Sequence, residues 1–198
     1  MEKDKPIIQI RDAKPEDAEA IASFIMNAMS EECCAFFYGQ DHTAEEFHRF
    51  MTSLVKVENS QYSYRNTIVA ADKEKVVGAL VSYDGARLHQ LRTAFIDGMK
   101  SVFGKDFSQI DDETAAGELY LDSLAVNPDY RKRGIASRLL LASAEKARRL
   151  GIPRVGLLVD QSNPSAEHLY RSVGFHYVED AVWGGHKMRH LQKEVVLS

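Results

Sequence analysis

Between the strand-like run Leu119 to Val126 and the helix-like run Ser137 to Leu150 lies Arg131-Lys132-Arg133-Gly134-Ile135-Ala136. Cations, then a glycine free to take positive φ, then small or apolar residues opening a helix, point successive backbone N–H groups at an anion. The run therefore commits the middle of the chain to a strand, a cradle suited to a pyrophosphate, and a helix. Neither Gly-x-x-x-x-Gly-Lys-Ser nor Gly-x-Gly-x-x-Gly occurs, which sets aside the usual nucleotide-phosphate loops.

The flanking sequence extends this unit into layers. Ile8-Gln9-Ile10-Arg11 alternates like a strand, and Pro15, at a first helical position, precedes Ile21, Phe24, Ile25, Ala28 and Met29 at helical spacing. Thr43-Ala44-Glu45-Glu46 has the capping-box pattern ahead of Phe47, Phe50, Met51, Leu54 and Val55. Thr67 to Ala71 and Val76 to Tyr83 read as strands joined by the polar turn Asp72 to Lys75, which predicts an antiparallel hairpin. Leu88, Leu91, Phe95, Met99, Val102 and Phe103 predict a helix stopped at Gly104, with the acidic loop Asp111-Asp112-Glu113 beyond it. Past the cradle, a helix with Leu139, Leu140, Ala144 and Ala147 stops at Gly151-Ile152-Pro153, and Arg154 to Val159 reads as a strand. Asn163-Pro164 opens a short helix ended by Gly174, and Phe175 to Val178 and Lys187 to Leu191 close the sheet. The order β, α, α, β, β, α, β, α, β, α, β, β predicts an α/β (α+β) sandwich with a mixed sheet, in a single domain over residues 1–198.

Composition removes several alternatives. A net charge of -4 with 27% charged residues lacks the basic excess of nucleic-acid binders. No apolar run approaches the length of a membrane span, and the opening Met1-Glu2-Lys3-Asp4-Lys5 is polar, so a soluble, cytoplasmic protein with no membrane partner is expected. Cys33 and Cys34 are adjacent and offer neither an ordinary disulfide nor a CxxC metal pair; they are expected to be buried, idle thiols. His186 and His190 stand at i, i+4, which suits a metal only on a helix, whereas their surroundings read as strand or turn; no metal site is expected.

Three stretches taken together are more specific: Leu124-Ala125-Val126-Asn127-Pro128-Asp129-Tyr130 running into the cradle, the helix end Leu150-Gly151, and Asn163-Pro164-Ser165-Ala166 followed by Leu169-Tyr170 and Val173-Gly174-Phe175. They resemble the GNAT superfamily of acetyl-CoA-dependent N-acetyltransferases, and Ile10 to Asp17 resembles the opening of that fold more weakly. The resemblance implies a mixed, mostly antiparallel sheet with a V-shaped splay between two central strands, flanked by helices. It implies acetyl-CoA as co-substrate. On that resemblance the pantetheine arm pairs with the main chain of Leu124, Ala125 and Val126, and a backbone N–H near Leu124 receives the oxyanion. The pyrophosphate sits on Arg131, Lys132, Arg133, Gly134, Ile135, Ala136 and Ser137, with Ala136 standing where the family often has glycine. Asn163 hydrogen-bonds the pantetheine or caps its helix.

Moving an acetyl group from a thioester to an amine needs a neutral amine and a proton for the departing thiolate. A lysine-like amine has a pKa of about 10.4, so a base or a water chain helps at neutral pH. Glu118, Tyr120 and Asp122 alternate along one face of the strand before the cradle. The resemblance matches Glu118 to a carboxylate base; Asp122 is the other carboxylate on that face, and the choice among the two and a water chain stays open. Tyr170 matches the family's tyrosine that protonates the thiolate. The expected reaction is direct attack by a small-molecule or peptide amine in a ternary complex, without a cysteine intermediate. The alternative is a non-catalytic acyl-CoA-binding module. Residues 84–117 lie outside the resemblance and predict a helical insertion that shapes the amine pocket or a homodimer contact. Trp183-Gly184-Gly185 reads as a surface turn.

Overall fold

The computed structural model describes residues 7–197, so the polar opening Met1 to Lys5 lies outside the described residues. Strands β1 (Ile8–Asp12), β2 (Thr67–Asp72), β3 (Lys75–Asp84), β4 (Leu119–Val126), β5 (Arg154–Asp160), β6 (His176–Trp183) and β7 (His186–Glu194) form one sheet in the order β1-β2-β3-β4-β5-β7-β6. Neighbours are antiparallel except β4 and β5. That parallel pair meets only at Leu119↔Val155 and Tyr120↔Gly156. Beyond Tyr120 the two strands part, and the sheet opens into the V implied by the resemblance.

Alternation along the strands separates two cores. Val69, Ala79 and Val81 face one side, where Ile21 and Ile25 of α1 (Ala18–Met29), Phe37 of α2 (Glu31–Tyr38), Phe47 and Met51 of α3 (Ala44–Lys56) and Phe95 and Met99 of α4 (Leu88–Phe103) are buried together. Ile68, Ala70 and Leu80 face the other side, covered by Ile135, Leu139 and Leu140 of α5 (Ile135–Arg149) and partly by Leu169 and Tyr170 of α6 (Pro164–Ser172). The capping box of α3 forms as its sequence predicts: Thr43 N donates to Glu46 Oε2 at 2.8 Å and Glu46 N donates to Thr43 Oγ1 at 3.2 Å. Helix α4 docks on α3 through an aromatic cluster, with Phe50 and Phe95 centroids 6.2 Å apart and Phe50 and Phe103 at 5.3 Å. Gly98 permits that approach, since a β-carbon there would collide with the Phe50 ring.

Three features depart from the sequence reading. Helix α2 was not anticipated: its eight residues carry no clear apolar period, and it starts because Ser30 Oγ accepts from Cys33 N at 3.3 Å. Strands β6 and β7 are both longer than expected, meeting in a hairpin at Gly184-Gly185. Strand β4 carries a bulge: Ser82 pairs with Leu121 and Val81 with Ser123, leaving Asp122 as the extra residue. Opposite this break, Lys146 Nζ donates to Ser82 O at 2.7 Å and to Asn66 O at 2.9 Å; burial pulls its pKa down to about 8. The bulge reverses the parity of β4, so Leu119 and Leu121 before it and Leu124 and Val126 after it all meet the α5 side.

Candidate active site

The cradle is built by two left-handed residues. Lys132 has φ 59° and Gly134 φ 73°, and the turn they make aims the head of α5 at the open end of the sheet. Among the described residues, the backbone N–H groups from Lys132 to Ser137 have no acceptor, and the first return bond is Arg138 N to Gly134 O at 3.0 Å. Six donors lying together at a helix start, with the dipole behind them, fit an anion. The cations are arranged around them: Arg131 Nε donates to Val126 O at 3.3 Å, and the Arg133 guanidinium lies 5.2 Å from the Tyr130 ring centroid while donating to Asp129 O. The β5-facing edge of Asp122 to Val126 is unpaired, because β5 has already turned away. An extended polar arm fits there as a missing strand would. Cradle and edge are thus suited to the two ends of an acyl-CoA.

Asn163 caps α6, its Oδ1 accepting from Ala166 N at 3.1 Å. Tyr170 lies on the α5 side, its ring edge-on to Phe175 at 5.9 Å, and burial pushes its pKa up to about 12. Its hydroxyl has no hydrogen-bond partner among the described residues.

Glu118 is 3% exposed and held by three donors. His190 Nε2 lies 2.8 Å from its Oε2, Gln192 Nε2 donates to the same oxygen at 2.7 Å, and Thr114 Oγ1 donates to Oε1 at 2.7 Å. Burial raises its pKa, but the hydrogen bonds from His190, Gln192 and Thr114 outweigh that and leave it below the ordinary value. In return, the bond to Glu118 raises His190, against burial. A carboxylate so well satisfied is a weak proton acceptor. The sequence reading missed these partners; His190 and Gln192 share one face of β7 at i, i+2, a signal that alternation alone could have flagged.

Asp122 is the contrasting case. Its Oδ2 accepts from Ser123 Oγ at 2.6 Å, while Oδ1 has only a long contact of 3.5 Å from Gln61 Nε2. Burial pushes its pKa up to about 7; Glu113 adds to the rise, and Ser123, Gln61 and Arg92 oppose it. The rings of Tyr62, Tyr83 and Tyr120 surround it closely enough for its charge to raise all three phenols. A carboxyl poised near neutrality can take a proton and release it.

The segment 84–117 divides in two. Helix α4 packs on α3, away from Tyr170, whereas the loop after it turns back to the sheet. Arg92 holds that loop, donating to Asp111 O at 2.9 Å and Asp112 Oδ1 at 3.0 Å and pairing with Glu113, which also accepts from Tyr83 Oη at 2.6 Å. The tip of the β6–β7 hairpin docks there too: Trp183 Nε1 donates to Asp111 O at 3.2 Å and Gly184 N to Asp111 Oδ2 at 3.0 Å. Trp183 is accordingly half-buried rather than a plain surface turn. Between loop and hairpin lies a cleft of about 270 Å³, with Asp112, Glu113, Glu118 and Glu179 in its wall beside His190 and Gln192.

Two residue pairs weighed in the sequence, Cys33–Cys34 and His186–His190, supply no shared chemistry here. Burial raises Cys33, and it pushes Cys34 up to about 11, so neither is poised as a thiolate. His186 and His190 go to different partners, Asp160 at 3.4 Å and Glu118 at 2.8 Å.

This fold is shared with solved acetyltransferases. A crystal structure described as an acetyltransferase has a TM-score of 0.77 at 29% identity, covering 95% of this chain and 100% of that one. The N-acetyltransferase from Staphylococcus aureus Mu50 has a TM-score of 0.75 at 22% identity, with 93% and 99% covered. The chain belongs to the acetyltransferase (GNAT) family, whose model matches residues 26–175. It is 39% identical over 66 residues to the ribosomal protein bS18-alanine N-acetyltransferase of Haemophilus ducreyi, covering 33% of this chain and 46% of that protein. It is 36% identical over 80 residues to the mycothiol acetyltransferase of Thermobifida fusca, covering 40% and 24%. The matches thus span less than half the length of these curated relatives. No helix among the described residues is long and apolar enough to cross a membrane.

Proposed function

We propose that this chain transfers the acetyl group of acetyl-CoA to a primary amine by direct attack in a ternary complex. The observation that carries the reading is the gap beyond Tyr120↔Gly156, which has acceptor-free N–H groups at one end and two unlike carboxylates at the other. Acetyl-CoA supplies the activated acyl group. The cradle from Arg131 to Ser137 would hold its pyrophosphate, and the free edge of Leu124, Ala125 and Val126 would hold the pantetheine arm. Asn163, with Oδ1 committed to its helix, has its amide N–H groups left for that arm.

The two sides of the gap suit opposite proton transfers. Asp122 takes the proton of the incoming amine, and Tyr170, whose hydroxyl has no partner among the described residues, gives one to the departing thiolate. Glu118 orders the wall beside them as an anion. Because Asp112, Glu113, Glu118 and Glu179 line the cleft, the acceptor is expected to arrive as a cation, either a small molecule or a peptide amine. Thiol release from acetyl-CoA, measured across a panel of propylamine, spermidine and an alanine-ended peptide, tests the reading. Release that depends on an added amine supports it, while acetyl-CoA binding without amine-dependent release identifies a binding module instead.

A further inference from the structure

Ser60, Gln61, Tyr62 and Ser63 form a buried loop between α3 and β2. Gln61 N donates to Leu91 O of α4 at 3.0 Å, and Asn66 Nδ2 donates to Gln61 O at 3.2 Å and to Ser60 O at 2.9 Å. The backbone of Gln61 is therefore pinned from both sides, one of them by the first turns of α4.

The side chain is less well provided for. Gln61 is 4% exposed, and its Oε1 is the buried side-chain polar atom left without a partner among the described residues. Buried acceptors are nearly always satisfied by protein, water or ligand. Next to it, Asp122 Oδ1 has only the 3.5 Å contact from Gln61 Nε2, although a carboxylate oxygen can accept more. The one amide group thus carries an unpartnered buried oxygen while its nitrogen reaches the Asp122 carboxylate only at the edge of hydrogen-bond range. The bulge brings Asp122 to the gap, two residues beyond the last β4–β5 pair and about 7 Å along the strand.

We propose that Gln61 Oε1 and Asp122 Oδ1 form the seat of the acceptor's ammonium group, with Gln61 as a substrate-binding residue. The inference rests on the acetyl-transfer reading and names the part of the chain that would hold the amine. An ammonium brings three N–H donors and a positive charge, which complements one carbonyl oxygen and one carboxylate. Proton transfer then breaks one N–H bond and forms one O–H bond on Asp122. The nitrogen keeps its electron pair, and Gln61 Oε1 still accepts from a remaining N–H and so keeps that pair aimed at the gap.

Steady-state thiol release with propylamine, spermidine and the alanine-ended peptide tests this in wild type, Gln61→Met and Gln61→Glu. Gln61→Met keeps length and removes the acceptor. It is expected to raise KM for the amine about tenfold, the loss typical of a hydrogen bond to a charged group, with KM for acetyl-CoA and the melting temperature unchanged. Gln61→Glu keeps an oxygen in place and is expected to hold amine KM at or below the wild-type value. Wild-type amine KM in Gln61→Met overturns the inference, as does a loss shared equally by acetyl-CoA, or a turned-over amide that shifts the pH profile without touching amine KM. Should Gln61→Met fail to fold, a raised amine KM in Gln61→Glu is enough to overturn it. No amine-dependent release by wild type overturns the acetyl-transfer reading and this seat with it; wild-type turnover with unchanged amine KM in the variant overturns the seat alone.

Discussion

The Glu118 carboxylate lies directly over Gly156, so that a β-carbon at Gly156 would coincide with Oε2. Gly156 is also half of the last rung joining β4 to β5. The point where the sheet begins to part is therefore the point where this carboxylate is packed. Gly156→Ala is expected to displace Glu118 and destabilise the fold by about 1–3 kcal/mol, the usual cost of overpacking. Glu118→Gln, which turns an amide NH₂ toward one of the three donors, is expected to cost about the same. Denaturant midpoints check both; a Gly156→Ala variant as stable as wild type would contradict the packing argument.

The Glu118–His190 pair has a defined pH signature. Glu118 titrates below its ordinary 4.5 when folded, so its contribution is present above that value and is lost as pH falls through the lowered pKa. His190 titrates above its ordinary 6.5, so its contribution is present below that value and is lost as pH rises through the raised pKa. Both are in force between 4.5 and 6.5. The melting-temperature difference between wild type and His190→Gln should be largest in that interval, and a difference independent of pH would show that the pair does not couple to folding.

Asp122 should govern the acid limb of turnover. With a pKa near 7 in the free protein and a role as proton acceptor, it is active when ionised, so kcat/KM for the amine should rise with pH through about 7 and then level. The groups that face it are Gln61, Ser123, Glu113 and Arg92, with Tyr62, Tyr83 and Tyr120 around them. Asp122→Asn is expected to lower kcat by roughly 10²–10⁴-fold and abolish the limb. If Glu118→Gln removes the limb and Asp122→Asn retains it, the two carboxylates have the reverse roles.

Tyr170→Phe isolates the leaving-group proton. The lost hydroxyl had no partner among the described residues and the ring keeps its contact with Phe175, so stability should not move. A fall in kcat of roughly 10²-fold with unchanged KM for acetyl-CoA is expected. Unchanged kcat would take Tyr170 out of the chemistry.

The double variant Cys33→Ala/Cys34→Ala should turn over within about twofold of wild type, because thiols raised by burial supply little thiolate. Loss of several orders of magnitude, measured on folded protein, would instead point to a covalent route.

What was legible in the sequence was local. Gly134 at the helix head, Asn163-Pro164 at the start of α6 and the box Thr43 to Glu46 each act within four residues, and each forms as its spacing predicts. Partners of Glu118 lie 72 and 74 residues away on β7, where only the topology brings them round. The splay was implied by resemblance and not by pattern, since no residue type announces how many rungs two parallel strands will share. Gln61 sits in a loop of serines and an aromatic with no period at all, and its place in the site depends on α4 reaching Leu91 O to it.

The extra residue in β4 has a consequence of its own. At its present length but without the bulge, the strand would keep one parity throughout and turn Leu124 and Val126 to the same side as Tyr120, whereas deleting Asp122 would remove the bulge and leave both facing α5. The bulge that absorbs one residue, rather than the identity of any side chain, thus decides how the second half of β4 is presented. Such a trait is silent in a substitution scan and would surface in a scan of single-residue deletions, with position 122 standing apart from its neighbours.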